Sequence, residues 1–301
     1  MRFCDMGRCD SMERSKARGV SNQAMDDELS VRVLLETSTL AIRDVQCRGT
    51  CRHASPSECA TMTHLVYPYR GAFMRHVGST ETLAEPNQLI FFNDDEEYGI
   101  SHPVGGGDAC LSIAIEQELL SELAPRDQTQ GGASITFRHA RRGIDPGAQA
   151  LVATLRHGLG RGAIETIEAE TLALTLIERS LGEKTSTARA TSFGRKKLVD
   201  RTKILLAANP GRRWTLAAIA SEIGVSPVYL TQVFAQAEGV PLYRYQLRVR
   251  LARALDLIAE YDDLTMLALD LGFSSHSHFT AAFRQHYGQS PMDFQRATAL
   301  R

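Results

Sequence analysis

Nowhere in the 301-residue chain does an apolar run approach the ~18 residues that a membrane-spanning helix needs. Residues 1–30 also lack the apolar core of a secretory signal, being polar and broken by glycine and charge. These absences lead us to expect a cytoplasmic protein with a poorly ordered first 30 residues and no membrane contact. Cysteine is missing from the last 191 positions; the six stand at 4, 9, 47, 51, 59 and 110. Without an export signal they read as free thiols rather than a disulfide framework. Net charge is nearly absent, at −1, but its distribution is uneven. Residues 195–301 hold 14 Lys/Arg against 9 Asp/Glu, a net +5, and the remainder carries −6. The last third is therefore the part suited to a polyanion.

What is present divides into two regions. Alternating apolar positions in Val31 to Ile42, Met62 to Tyr67 and Ala109 to Ile115 read as short strands. Turn signals at Gly49, Pro68 to Gly71, Gly78, Pro86-Asn87, Gly99 and Pro103 to Gly107 recur about every ten residues, which predicts a β-sandwich or barrel. A short helix is expected over 116–124 and an irregular stretch over 125–143. From Pro146 to Gly182 the apolar positions step by 3 or 4, giving two helices parted near Gly158 to Gly162. Lys184 to Arg195, rich in Thr, Ser and Ala, reads as a linker.

The C-terminal third is an internal repeat. Leu216, Ile219, Ala220 and Ile223 form one helical face, with Thr215 as cap and Gly224 as terminator. Ser226-Pro227 then opens a second helix with Leu230, Val233, Phe234 and Ala237 on its buried face. Helix, glycine turn, helix is the helix-turn-helix pattern. The same grammar returns 48 to 49 residues later: Leu264, Leu267, Ala268, Leu271, Gly272, a cap at Ser274 or Ser275, then Phe279 and Phe283. Each copy closes alike, at Gly239-Val240-Pro241 and at Gly288-Gln289-Ser290-Pro291. Between them, Leu242 to Glu260 reads as one helix apolar on two sides, Tyr245/Val249/Ala252 and Leu247/Leu251/Ala254/Ile258. It would span about 28 Å. Recognition helices entering successive major grooves need a separation of roughly 34 Å, so the connector suits that spacing.

These residues resemble the AraC/XylS family of transcription regulators. The likeness runs from Lys197 to Arg296 and rests on Ala220 to Leu230, Leu269 to Phe279 and Phe283 to Phe294. Gly71 to Phe73, His76 to Gly78, Asn87 to Asn93 and Ser101 to Pro103 resemble the cupin-type sensor domain of such regulators. The resemblance implies an α+β protein of two domains: a cupin-like β-barrel with helices, and an all-α domain of two helix-turn-helix units joined by a long helix. The expected boundaries are 1–30, a sensor over 31–124, an irregular stretch and dimerising helices over 125–183, a linker over 184–196 and the DNA-binding domain over 197–297. Double-stranded DNA, RNA polymerase, a small-molecule effector and a second copy of the chain are the implied partners, with activation as the implied output and no cofactor.

A recognition helix reads bases from outward positions early in its length. Those are Pro227, Val228, Thr231 and Gln232 in the first unit, and His276, Ser277, Thr280 and Ala281 in the second. The family often carries arginine where Gln232 and Ala281 stand, so base preference does not transfer. Arg213, Arg248, Arg250 and Arg284 are candidates for phosphate contacts, and Trp214 for a core anchor. His276 and His278 project about 200° apart on a helix and do not share a metal.

Three other classes of protein compete with this reading. A metal-dependent cupin enzyme would need paired histidines, whereas His53, His64, His76 and His102 are isolated, so no catalysis is expected. An architectural DNA-binding module would not need the additional N-terminal domain. A thiol sensor or metal cluster could use Cys47, Cys51, His53 and Cys59, which lie within 13 residues.

Overall fold

The computed structural model describes residues 29–49, 53–130, 135–182 and 193–299. Six strands form the larger antiparallel sheet, in the order β1 (Leu29–Glu36), β2 (Leu40–Cys47), β9 (Asp108–Ile115), β4 (His64–Arg70), β7 (Gln88–Phe92) and β12 (Arg141–Gly143). A second sheet joins β3 (Glu58–Cys59), β8 (Glu97–Ser101), β5 (Phe73–Val77) and β6 (Thr80–Ala84). A small hairpin pairs β10 (Thr129–Gln130) with β11 (Thr136–Phe137). The two main sheets meet through Val66, Ile90, Phe92 and Cys110 on one side and Phe73 and Tyr98 on the other. No strand among the described residues bonds into both sheets, so the expected barrel is an open two-sheet sandwich. The chain passes from β6 to β7 through Glu85-Pro86-Asn87, where proline has no N–H to offer a continuous ladder.

Helices α1 (Gln117–Leu123), α2 (Pro146–Arg161) and α3 (Thr166–Leu181) cover the outer face of the larger sheet. Ile42, Tyr67, Leu89, Leu111 and Ile113 pack there against Val152, Leu155, Ala169, Leu176 and Ile177. Strand β9 is covered on both faces, which is why it is buried along its whole length. The expected irregular stretch over 125–143 contains β10, β11 and β12, strands of two or three residues, too short for alternation to show. The predicted break between the two helices falls at Gly162.

The C-terminal domain comprises α4 (Phe193–Ala208), α5 (Leu216–Ile223), α6 (Pro227–Glu238), α7 (Leu242–Leu257), α8 (Leu264–Asp270), α9 (His276–Tyr287) and α10 (Pro291–Ala299). Helix α4 starts inside the predicted linker, whose residues 184–192 lie outside the described set, as do residues 1–28 and Cys51. The connector α7 is shorter than expected, 16 residues or about 24 Å by its rise, because the helix ends at Leu257. Its two apolar sides serve two cores, Tyr245 and Val249 packing with the first unit and Leu251, Ala254, Leu255 and Ile258 with the second. No single helix among the described residues is long and apolar enough to cross a membrane.

Both turns use the same bonds. Val225 N–H donates to Ala220 O at 3.0 Å, and Phe273 N–H donates to Ala268 O at 3.0 Å, across Gly224 (φ 80°) and Gly272 (φ 76°). Their surroundings differ. A methyl group on Gly224 would meet nothing within 4 Å, whereas on Gly272 it would lie 2.2 Å from Gly211 O. Gly224→Ala is expected to cost about 1–2 kcal/mol, the left-handed backbone penalty alone. Gly272→Ala should cost distinctly more, because the backbone of the 209–213 loop must also retreat. Urea unfolding of both variants checks this, and equal costs would contradict the close approach.

The two domains are tied by buried charge. Asp256, on α7, has a fully buried side chain. Arg70 of β4 grips it with two bonds, at 2.8 and 3.1 Å. Arg156 of α2 reaches its carboxylate at 3.0 Å and its carbonyl at 2.9 Å. Arg253 completes the cluster. Tyr69 lies under Arg156, with 4.2 Å from guanidinium carbon to ring centroid, and donates to Asp44 at 2.5 Å. A second tie is Lys203 of α4, buried between Glu85 (3.5 Å) and Glu238 (2.8 Å). Between β4, α2 and α7 remains a cavity of only about 20 Å³, room for roughly one water.

Candidate nucleic-acid interface

Short local bonds set the recognition helices. Ser226 Oγ accepts from Tyr229 N–H at 3.2 Å and starts α6; Ser275 Oγ accepts from His278 N–H at 3.1 Å and starts α9. Ser275, not Ser274, is thus the cap of the second unit. Thr215 and Asp263 cap α5 and α8 in the same manner. Helices α5 and α6 meet at a bend of 88°. One face of α6 is pinned by Leu230, Val233 and Phe234, and one face of α9 by Phe279, Ala282 and Phe283. The opposite faces are thereby left outward.

Pro227, Val228 and Gln232 are exposed on α6, with Thr231 half-buried. On α9, Ser277 and Ala281 are exposed, with His276 and Thr280 half-buried. Val228 is 66% exposed although aliphatic, a placement that folding alone does not favour. Not every candidate is free to reach out. Thr231 Oγ1 donates to the Val228 carbonyl at 2.8 Å, within its own helix. Thr280 Oγ1 lies 3.5 Å from His276 Nε2. His278 is held by Ser274 Oγ at 3.1 Å and sits edge-on to Phe273, so the His-x-His pair is spent on local structure.

The four arginines separate into two kinds. Arg213 donates to Phe273 O at 2.9 Å, and Arg250 donates to Pro210 O at 3.1 Å and Arg212 O at 3.0 Å. These two brace the loop before α5 against the turn of the second unit; Arg213 stays exposed with its Nη2 bonded, and Arg250 is half-buried with Nε and Nη2 bonded. Burial, and then the neighbouring Arg213, lower the pKa of Arg250 from the usual arginine value. Arg284 is exposed near the end of α9. Arg248 is half-buried near His286, whose pKa burial first and Arg248 second bring down to about 4, leaving that ring neutral at physiological pH. Arg284→Ala is therefore expected to weaken DNA binding equally across sequences and to lower the salt slope by about 1, with stability unchanged. Arg250→Ala is expected instead to cost about 1–3 kcal/mol of stability, since Pro210 O loses the donor Arg250 supplies and Arg212 O keeps only Trp214 N–H and Gln246 Nε2. Denaturation and salt-titrated binding of the two variants separate these outcomes. Trp214 is a core anchor, as expected, with Arg212 stacked 3.7 Å over its ring.

Of the cysteine cluster read from spacing, Cys47, His53 and Cys59 fall among the described residues. Cys47 ends β2 in the larger sheet and Cys59 lies in β3 of the smaller one. His53 is exposed, and Cys51 lies outside the described residues. No group of three His, Cys, Asp or Glu among the described residues has metal-binding geometry. Two features escaped the sequence reading: the Asp256 cluster, whose only signal was a carboxylate inside an apolar stripe, and a histidine beside Cys47.

Two glycine-hinged helix pairs, each presenting an outward recognition helix and joined by a shared central helix, define a double helix-turn-helix domain. Residues 219–297 match the family model described as a helix-turn-helix domain. The regulator GadX of Escherichia coli O6:H1 is 36% identical over 92 residues, 30% of this chain and 33% of that protein. The transcriptional activator RhaS of Escherichia fergusonii is 34% identical over 80 residues, 26% of this chain and 29% of that protein. A crystal structure of a transcriptional regulator with an AraC-type DNA-binding domain from Chromobacterium violaceum is 29% identical, covering 35% of this chain and 96% of that one, with a TM-score of 0.34. The C-terminal domain is similar to the helix-turn-helix domains of these regulators. The chain spans about a third of the length of the GadX proteins it matches.

Proposed function

We propose that this chain is a cytoplasmic, sequence-specific regulator of transcription that binds double-stranded DNA through α6 and α9. The observation that carries this reading is the pair of equivalent helices whose first turns are exposed, joined by one shared helix. The +5 charge of residues 195–301 supports it. The chain acts by binding, not by catalysis, in keeping with the relatives' names.

The finer reading is activation through contact with RNA polymerase, supported by the naming of RhaS as an activator. The sandwich would sense a small-molecule effector on its inner face, where Arg43, His64 and Ser112 are buried. Burial and Arg43 hold His64 near a pKa of about 4, so it would meet a ligand as a neutral ring. A second copy of the chain would pair through the outer face of α3, where Ile167, Thr171 and Thr175 are exposed. Effector binding would then shift the population of DNA-competent arrangements through the Asp256 and Lys203 ties.

The test is retention of genomic fragments by purified protein at two salt concentrations, read by sequencing. Enrichment of a shared motif with two half-sites about one helical turn apart is expected. Uniform retention that vanishes with salt would mean phosphate contact alone and would overturn sequence-specific recognition by the protein as purified.

A further inference from the structure

We propose that Cys47, served by His102 and Asp108, is a nucleophilic thiol site that reacts with small hydroperoxides. Three separate pieces of the sandwich converge there. Cys47 closes β2 directly opposite Asp108, the first residue of β9. His102 follows the end of β8 in the other sheet. Its Nδ1 lies 2.5 Å from Asp108 Oδ2, and its Nε2 lies 3.4 Å from Cys47 Sγ. Carboxylate, imidazole and sulfur thus stand in line, the order in which a carboxylate orients a ring toward a nucleophile. Gly49 N–H adds a second donor to the sulfur, at 3.3 Å.

His102 and Asp108 are buried, whereas Cys47 is half-buried, so of the three the cysteine is the most exposed residue. The hydrogen bond to Asp108, and then that to Cys47, push the His102 pKa up to about 10 against the desolvation that opposes charge. The ring is an imidazolium at neutral pH. A protonated ring beside the sulfur places a positive charge and an N–H donor where the cysteine reacts. Cys110, in the same inner core, is the inert contrast: fully enclosed, with burial the main force raising its pKa.

The thiolate would attack the terminal oxygen of the hydroperoxide. A sulfur–oxygen bond forms as the oxygen–oxygen bond breaks; sulfur loses two electrons and the peroxide gains them. The departing alkoxide or hydroxide takes the Nε2 proton of His102 and leaves as an alcohol or water. Cys47 is left as a sulfenic acid. A half-enclosed sulfur favours a small oxidant, and a leaving group that departs as a strong base needs the acid that His102 supplies. The site also lies close to the interdomain tie: Ala109, next to Asp108, is the β partner of Arg70, which holds Asp256.

The test treats the reduced full-length protein with brief pulses of hydrogen peroxide or tert-butyl hydroperoxide. Sulfenic acid is trapped with dimedone and located by peptide mass spectrometry. Cys47 is expected to be trapped at least roughly tenfold faster than Cys59, which is also part-buried, and His102→Gln should slow it by about ten- to a hundredfold. Asp108→Asn, nearly isosteric, should slow it by less. Equal trapping of Cys47 and Cys59 in the unsubstituted protein would overturn the proposal, as would an unchanged Cys47 rate in a folded His102→Gln protein. If neither variant folds, the comparison of the two cysteines decides. The assay reads sulfur and not DNA, so its outcome is independent of the proposed function.

Discussion

Asp256→Ala is expected to cost the folded protein about 3–5 kcal/mol, the range for breaking a buried ion pair by removing one partner. The carboxylate is fully buried and serves three guanidinium groups, from β4, α2 and α7. Its loss leaves Arg156, itself 9% exposed, as an uncompensated buried cation. Arg70 and Arg253 are about a quarter exposed and would recover hydration, so they add little to the cost. The damage should fall on the junction between the domains. The single tryptophan, Trp214, lies in the core of the first helix-turn-helix unit, so its fluorescence follows the DNA-binding domain while far-ultraviolet circular dichroism follows the whole chain. In the variant the two signals should part during urea unfolding. Coincident curves within about 0.5 kcal/mol of the parent, the size of an ordinary surface substitution, would show that the tie holds nothing.

The second large effect concerns DNA. Val228→Asp in α6 and Ala281→Asp in α9 each place a carboxylate on an outward face where the backbone of a polyanion would approach. Each should weaken specific binding by on the order of 100-fold, ~2.7 kcal/mol. Both positions are exposed, so stability should stay within about 0.5 kcal/mol of the parent. Fluorescence anisotropy with a selected operator fragment measures the first quantity, and thermal unfolding the second. Loss in one variant only would mean that a single unit engages DNA. No loss in either would remove both helices from the interface.

The double helix-turn-helix was legible in the chain because its signals are local. Caps at Thr215, Ser226 and Ser275 act over three residues, and the turns at Gly224 and Gly272 close bonds over five. Apolar spacing of 3 or 4 placed Leu230, Phe234, Phe279 and Phe283 inward, and by subtraction it placed the outward candidates. The repeat could not say that Gly272 is wedged against Gly211 while Gly224 is open, since that depends on a loop outside the repeat. Nor could it show that Arg213 and Arg250 donate to backbone carbonyls of the neighbouring loop and turn. In the N-terminal half, alternation over Val31 to Ile42, Met62 to Tyr67 and Ala109 to Ile115 marked β1, part of β2, β4 and β9, but it did not mark the other strands, and the division into two sheets leaves no periodic trace.

The sequence by itself determined the two helix pairs of the repeat, the caps Thr215 and Ser226, the buried faces and the duplication, because each rests on bonds or contacts within one or two turns of chain. Only the tertiary structure decided which charged groups are bound inward and which side chains share a site. Arg70 finds Asp256 across 186 residues, and Cys47 finds His102 across 55. Such pairings follow from how strands and helices stack, and residue spacing carries no record of them.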